Sequence, residues 1–210
     1  RCEETGGDCF DFLELGGGRI ALVVGDVSGH GIGSALLMAA GRANLRALLS
    51  VKTDLKEVMV RLNDLVALDM DAERFMTLFV ITLDPDSHQL RYVNAGHDFP
   101  LIWRAQTGTC EQLASTGMPV GMLPGVSYDV GMVDPLAPGD VLLITTDGVW
   151  EAVNPAGERY GKARLGQILA NTSSHSPAHI VDVILADVEG YARGRSFADD
   201  QTLVVIQRAR

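Results

Sequence analysis

Short apolar, strand-like runs broken by Gly- or Asp-bearing turns share this chain with stretches whose apolar residues recur at helical spacing. Residues 9–15 and 19–25 read as strands joined across Gly16-Gly17-Gly18, a hairpin signal. Residues 34–49, rich in Ala, Leu and Met behind a glycine-rich loop, predict a buried helix. Leu55, Val58, Met59, Leu62, Leu65 and Val66 predict a second helix, with Asp54 and Glu57 giving a D-x-x-E start. Strands are then predicted over 75–83, 89–94, 100–104, 109–113, 127–133 and 141–145, separated by turn sequences such as Asp84-Pro85-Asp86-Ser87. Ser176-Pro177 reads as an N-cap followed by Pro at the first helical position, ahead of Ile180, Val183, Ile184, Val188 and Tyr191 on one face. Residues 202–207 predict a closing strand.

The order is two strands, two helices, many strands, two helices and one strand. Consecutive hairpins favour antiparallel sheets over repeated βαβ units. The expectation is α+β: two mostly antiparallel sheets, face to face, flanked by helices.

At 210 residues the chain is long enough for one domain with a core. Its 17 basic and 27 acidic residues give 17 − 27 = −10, which disfavours a nucleic-acid surface and an anionic membrane as partners. Cys2, Cys9 and Cys110 are odd in number and have no CxxC spacing, which suits a reducing, cytoplasmic compartment better than a disulfide framework. No apolar stretch reaches the roughly 18 residues of a membrane span, and no signal peptide shows. The chain opens abruptly on polar residues, as a domain cut from a longer protein would.

Four acids share one local setting, a strand-like run meeting a turn of small or polar residues. They are Asp8 in Gly6-Gly7-Asp8, Asp26 after Leu22-Val23-Val24-Gly25, Asp147 in Thr145-Thr146-Asp147-Gly148, and Asp199 in Ala198-Asp199-Asp200. Carboxylates grouped in one place repel unless protons or cations neutralise them. Oxygen-only ligands select hard cations such as Mg²⁺ or Mn²⁺ over Zn²⁺. Each acid taken alone is also compatible with a structural turn, and the four together carry the reading.

The densest motif is Gly25-Asp26-Val27-Ser28-Gly29-His30-Gly31-Ile32-Gly33. Its glycines allow tight turns and close approach to a ligand at a helix N-terminus. It lacks the Gly-Lys-Ser/Thr ending of a P-loop and the dinucleotide glycine spacing. His97, in Asn94-Ala95-Gly96-His97, has two readings: a ligand or acid, or, with more weight, a loop histidine that fixes hydrogen bonds. No zinc spacing and no nucleophile elbow support other hydrolytic chemistries.

At these residues the chain resembles the metal-dependent protein serine/threonine phosphatases of type 2C (PPM), in the bacterial SpoIIE/RsbU-like branch. The matching segments are Gly6-Gly7-Asp8-Cys9-Phe10-Asp11-Phe12, Gly25-Asp26-Val27-Ser28-Gly29-His30-Gly31, Asn94-Ala95-Gly96-His97, Leu136-Ala137-Pro138-Gly139-Asp140, Thr146-Asp147-Gly148-Val149-Trp150-Glu151-Ala152 and Asp199-Asp200-Gln201-Thr202. The resemblance implies an αββα sandwich with a centre of two Mn²⁺ or Mg²⁺ ions. Carried over by motif, Asp26 bridges both ions and the main-chain carbonyl of Val27 binds one. Asp147 and Asp199 bind the other, and Asp8 reaches the cluster directly or through water. Two cations would bind a phosphate monoester, offset its charge and activate a water for in-line attack.

Eukaryotic-type members carry a His two residues after the bridging Asp. Here Ser28 stands there, so the general acid is either His30 or a metal-bound water. Cys9 replaces a common aromatic and reads as packing. By resemblance the substrate is a phosphorylated protein, most often a small anti-sigma-factor antagonist, and activity is gated by an upstream sensor or regulatory segment. Homodimerisation through the first helix pair is a further implication. The alternative is a weakly active or inactive phosphatase-like binding or scaffold module.

Overall fold

The computed structural model describes residues 6–51, 54–70 and 74–209. Cys2 lies outside the described residues. The elements run β1 (Cys9–Glu14), β2 (Ile20–Val27), α1 (Ile32–Val51), α2 (Leu55–Val66), β3 (Met76–Leu83), β4 (Leu90–Ala95), β5 (Leu101–Arg104), β6 (Thr109–Gln112), β7 (Gly131–Val133), β8 (Val141–Thr145), α3 (Asp147–Trp150), α4 (Lys162–Thr172), α5 (Pro177–Ala192) and β9 (Leu203–Gln207). They form two sheets, ordered β1-β2-β3-β4-β7 and β6-β5-β8-β9, in which every paired neighbour is antiparallel. The α+β expectation with two antiparallel sheets and flanking helices is met.

Contacts divide the chain into two compact units, residues 6–97 with 114–135 and residues 98–113 with 136–209. In the first, Met38, Leu45 and Leu49 of α1 and Val58, Met59 and Leu62 of α2 bury against Ala21 and Val23 of β2 and Leu78 and Val80 of β3. Each of these Val, Leu and Met side chains contributes about 1.5–3 kcal/mol on leaving water. Asp54 caps α2 by accepting from the Glu57 N–H at 3.1 Å, as its D-x-x-E start predicts. Asn63, fully buried, ties the 121–123 segment to α2: its Nδ2 donates to the Leu123 carbonyl at 2.8 Å and its Oδ1 accepts from the Gly121 N–H at 2.9 Å.

In the second unit, β8 is buried along its whole length between β5 and β9. Its Val141 and Leu143 join Leu165 and Leu169 of α4 and Ile180, Ile184 and Val188 of α5 in one core. Ser176 caps α5 through the His179 N–H, with Pro177 at the first helical position. Asp140, predicted within the Leu136–Asp140 motif, is a structural acid. It accepts from Arg104 Nη1 at 3.0 Å and from the Ala105 and Ala137 N–H groups at 2.8 and 3.0 Å, and so pins the turn that enters β8.

Strand 127–133 shortens to Gly131–Val133. Asp147 opens a one-turn helix directly after β8. Among the described residues no helix is long and apolar enough to cross a membrane.

Candidate active site

The hairpin register sets the first pair of acids. β1 runs antiparallel to β2 with Cys9 opposite Gly25, so Asp8 and Asp26 fall at the same end of that pair. The Val27 N–H donates to the Gly7 carbonyl at 3.3 Å and holds the two segments together. Gly7 is buried, and a Cβ there would stand 2.5 Å from the Val27 carbonyl oxygen and 3.1 Å from Asp26 Oδ1. Only glycine leaves room beside these two oxygens, both of them predicted ion ligands. Gly29 and Gly31 take φ of 83° and 86°, the left-handed region that lets the loop turn into α1.

Ser28 ties that loop to the start of β3. Its N–H donates to the Phe75 carbonyl at 3.0 Å and its hydroxyl accepts from the Phe75 N–H at 3.1 Å. His97 is buried, with Nδ1 3.0 Å from Thr77 Oγ1, and Thr77 Oγ1 donates to the Asp26 main-chain carbonyl at 3.4 Å. The hydroxyl has one proton, so His97 Nδ1–H is the donor to Thr77. The hydrogen-bonding reading of His97 therefore holds, and its reach to the backbone of Asp26 goes beyond it. His30 is exposed on the same loop. Burial pushes the Cys9 thiol up to about 11 and Cys9 packs on the core, in keeping with a packing role.

The second pair lies in the other unit, where β8 and β9 run antiparallel and Asp147 and Asp199 stand at the same end. The Thr146 N–H donates to the Thr202 carbonyl at 3.1 Å, and the Thr202 N–H donates back to Thr146 Oγ1 at 3.0 Å. Gln201 Nε2 donates to the Gly148 carbonyl at 3.0 Å. A Cβ on Gly148 would run into the Asp200 carbonyl, so glycine follows the acid for a steric reason.

The Asp147 carboxyl is pushed up, first by burial and then by the negative charges of Asp199, Asp98 and Glu151. Asp200 is pushed up by burial and by Asp199. An acidic group with this electrostatic debt favours a bound cation. Among the described residues no group of three or more His, Cys, Asp or Glu side chains is clustered to hold a metal ion. The acids come instead as two pairs, one in each unit. The donor chemistry fits hard cations: carboxylates, one main-chain carbonyl, and a glycine cradle beside them.

Asp98 and Lys162 received no role from the sequence, and Trp150 appeared only inside a motif. Asp98 accepts hydrogen bonds from Trp150 Nε1 and, at 2.7 Å, from Lys162 Nζ. The one signal for Asp98 was its place directly after His97.

Residues 16–209 match the model of the stage II sporulation protein E (SpoIIE) family, and the chain belongs to that family. It is 32% identical to Protein IcfG of Synechocystis over 96% of this chain and 36% of that protein. It is 27% identical to phosphoserine phosphatase RsbP of Bacillus subtilis over 97% of this chain and 49% of that protein. The chain thus spans half or less of the length of these two curated relatives. The crystal structure of the RsbU and RsbW domains of Rv1364c from Mycobacterium tuberculosis superposes with a TM-score of 0.79 at 31% identity, over 98% of this chain and 56% of that one. The PP2C phosphatase domain of SpoIIE from Bacillus subtilis, solved with a fragment of its regulatory domain, gives a TM-score of 0.81 at 22% identity, over 96% of this chain and 58% of that one, which speaks to the fold.

Proposed function

We propose that this chain is one phosphatase domain of a longer regulatory protein and hydrolyses phosphoserine or phosphothreonine on a small protein of the anti-sigma-factor-antagonist kind. The observation that carries the reading is the half-buried Asp147, pushed up by burial and by the nearby charge of Asp199, in a chain of the SpoIIE family. The name of RsbP, a phosphoserine phosphatase, supports the reaction class. The solved chain that joins RsbU and RsbW domains supports a partner-switching setting.

Asp8, Asp26 and the Val27 carbonyl in one unit, and Asp147 and Asp199 in the other, are the proposed ligands of two Mn²⁺ or Mg²⁺ ions. When bound, the ions supply charge neutralisation for the phosphate and an acidified water for attack. The chain's own residues orient and hold. Gly7 keeps the space beside Asp26 Oδ1 open, while His97 and Thr77 fix the Asp26 backbone. Thr146 and Gln201 tie the Asp147 turn to the segment that bears Asp199. His30, exposed and close to Asp26 in sequence, is one proposed proton donor to the leaving oxygen, and a metal-bound water is the other. Ile32 and Leu36 stand exposed on α1, which supports the family expectation of a regulatory or dimer contact on the α1–α2 pair.

The test is hydrolysis of a chromogenic phosphate ester and of a phosphorylated antagonist protein with Mn²⁺, with Mg²⁺ and with chelator, beside Asp26→Ala. Metal-dependent turnover that falls at least 100-fold in the variant is expected. Mn²⁺ binding with no turnover on either substrate would replace the enzyme reading with a binding or scaffold module.

A further inference from the structure

Helix α3 is a single turn, too short to hold its own geometry. It begins at Asp147 and ends at Trp150, so whatever anchors Trp150 bears on where the Asp147 carboxylate points. The indole Nε1 donates to Asp98 Oδ2, and Lys162 Nζ, at the first turn of α4, donates to Asp98 Oδ1 at 2.7 Å. Lys162 Nζ also sits 4.4 Å from the centre of the Trp150 ring and 5.4 Å from that of Phe99. One carboxylate thus accepts from the indole N–H and from the ammonium that lies across the face of the same indole, so the ring is held at its edge by Asp98 and at its face by Lys162. The Asp98 and Lys162 side chains are each 25% exposed, so the pair is largely shielded from water. Asp98 is near enough for its charge to be felt at Asp147.

A lone partly exposed salt bridge is worth little. This one differs because its acid also satisfies an indole N–H that belongs to the acid-bearing turn. Lys162 pairs with Asp98 and so offsets part of the negative charge that Asp98 adds around Asp147.

We propose that Asp98 is a positioning residue for Asp147, acting through Trp150, with Lys162 as the counter-charge that holds Asp98 in place. The inference rests on Asp147 serving as an ion ligand, as under the proposed function. Partners that orient a metal ligand commonly change metal affinity 10- to 100-fold when removed.

The experiment is direct titration of the purified chain with Mn²⁺, reading free Mn²⁺ by electron paramagnetic resonance, for wild type, Asp98→Ala, Asp98→Asn and Trp150→Phe, with a thermal melt of each in chelator. Asp98→Ala and Trp150→Phe are expected to weaken Mn²⁺ binding about tenfold. Asp98→Asn, which keeps an acceptor for the indole, should stay within about threefold of wild type. Trp150→Phe keeps an aromatic side chain and loses the N–H with the five-membered ring that carries it, so it decides the matter if Asp98→Ala does not fold. Wild-type affinity in Trp150→Phe overturns the inference. Asp98→Asn as weak as Asp98→Ala also overturns it, since charge and not anchoring would then be the cause. No saturable Mn²⁺ binding by wild type overturns the metal reading of Asp147 and this inference with it. Wild-type binding with unaffected variants overturns the inference alone.

Discussion

Asp11 and Asp147 are both aspartates set against a sheet, and their surroundings drive them in opposite directions. Asp11, on β1, is buried and gripped from α1: Arg46 donates through Nε and Nη2 at 2.5 and 2.7 Å, and Arg42 through Nε at 2.9 Å. These bonds, that from Arg46 foremost, hold its carboxyl down to about 2. Asp147 is pushed the other way, first by burial and then by the charges of Asp199, Asp98 and Glu151. An acid whose charge is matched within the chain serves stability, and one whose charge is left unmatched points to something from outside. Both segments stand in family motifs, but only Asp147 has the strand-end setting before a Gly that marks it as a candidate ligand; the sequence gives Asp11 no role, because its arginine partners lie more than 30 residues away.

The largest expected effect separates them by activity. Asp147→Asn should lower kcat/KM at least 100-fold, about 2.7 kcal/mol of transition-state stabilisation. Its melting temperature in chelator should rise, because the amide removes a half-buried charge that Asp199 repels. Mn²⁺ should also stop raising that temperature. Asp11→Asn should do the reverse and leave kcat/KM within about twofold. A fall in chelator stability for Asp147→Asn would show that Asp147 is structural after all, and the contrast would be lost.

The next effect is the stability cost of Asp11→Asn. Its folded carboxyl lies below the ordinary value of 3.8, so its stabilisation is fully present above about pH 4 and is lost as pH falls toward 2. Full conversion of that shift would overstate the cost, because the Arg42 and Arg46 side chains are 44% and 48% exposed. About 1–2 kcal/mol at neutral pH is expected after solvent screening. Urea unfolding from pH 7 to pH 2.5 should show the wild type losing this margin on the acid side and Asp11→Asn running flatter. Parallel curves would mean that the ion pair adds nothing to stability.

Much of this was legible in the chain because the signals were local. The Asp54 and Ser176 caps, the hairpin across Gly16-Gly17-Gly18 and β8 follow from a few neighbouring residues each, and β8 runs over Val141–Thr145 as expected. Helix α4 was not delimited, because Gly161 enters it at a φ of 83° with no side-chain cap to announce it. Strand 127–133 lost its first half, since only 131–133 find β4 to pair with. The acids at strand ends were visible as a pattern. Their supports were not: Thr77 under Asp26, and Asp98 and Lys162 around Trp150, are brought in from distant parts of the chain by sheet pairing and helix placement, which no spacing rule encodes.

The smallest effect tests how Asp11 is held. Arg46 makes two hydrogen bonds to the carboxylate and Arg42 makes one, although their exposures are nearly equal. A two-point guanidinium grip fixes geometry as well as charge. Arg46→Ala should therefore lower the urea midpoint more than Arg42→Ala does, and both less than Asp11→Asn. Arg46→Lys keeps the charge and loses the fork, and should recover less than half of the Arg46→Ala loss. Full recovery by lysine would show that Asp11 needs only a positive charge nearby. Asp11 would then be matched through the field of α1 as a whole, and its contrast with Asp147 would rest on net charge rather than on bonding geometry.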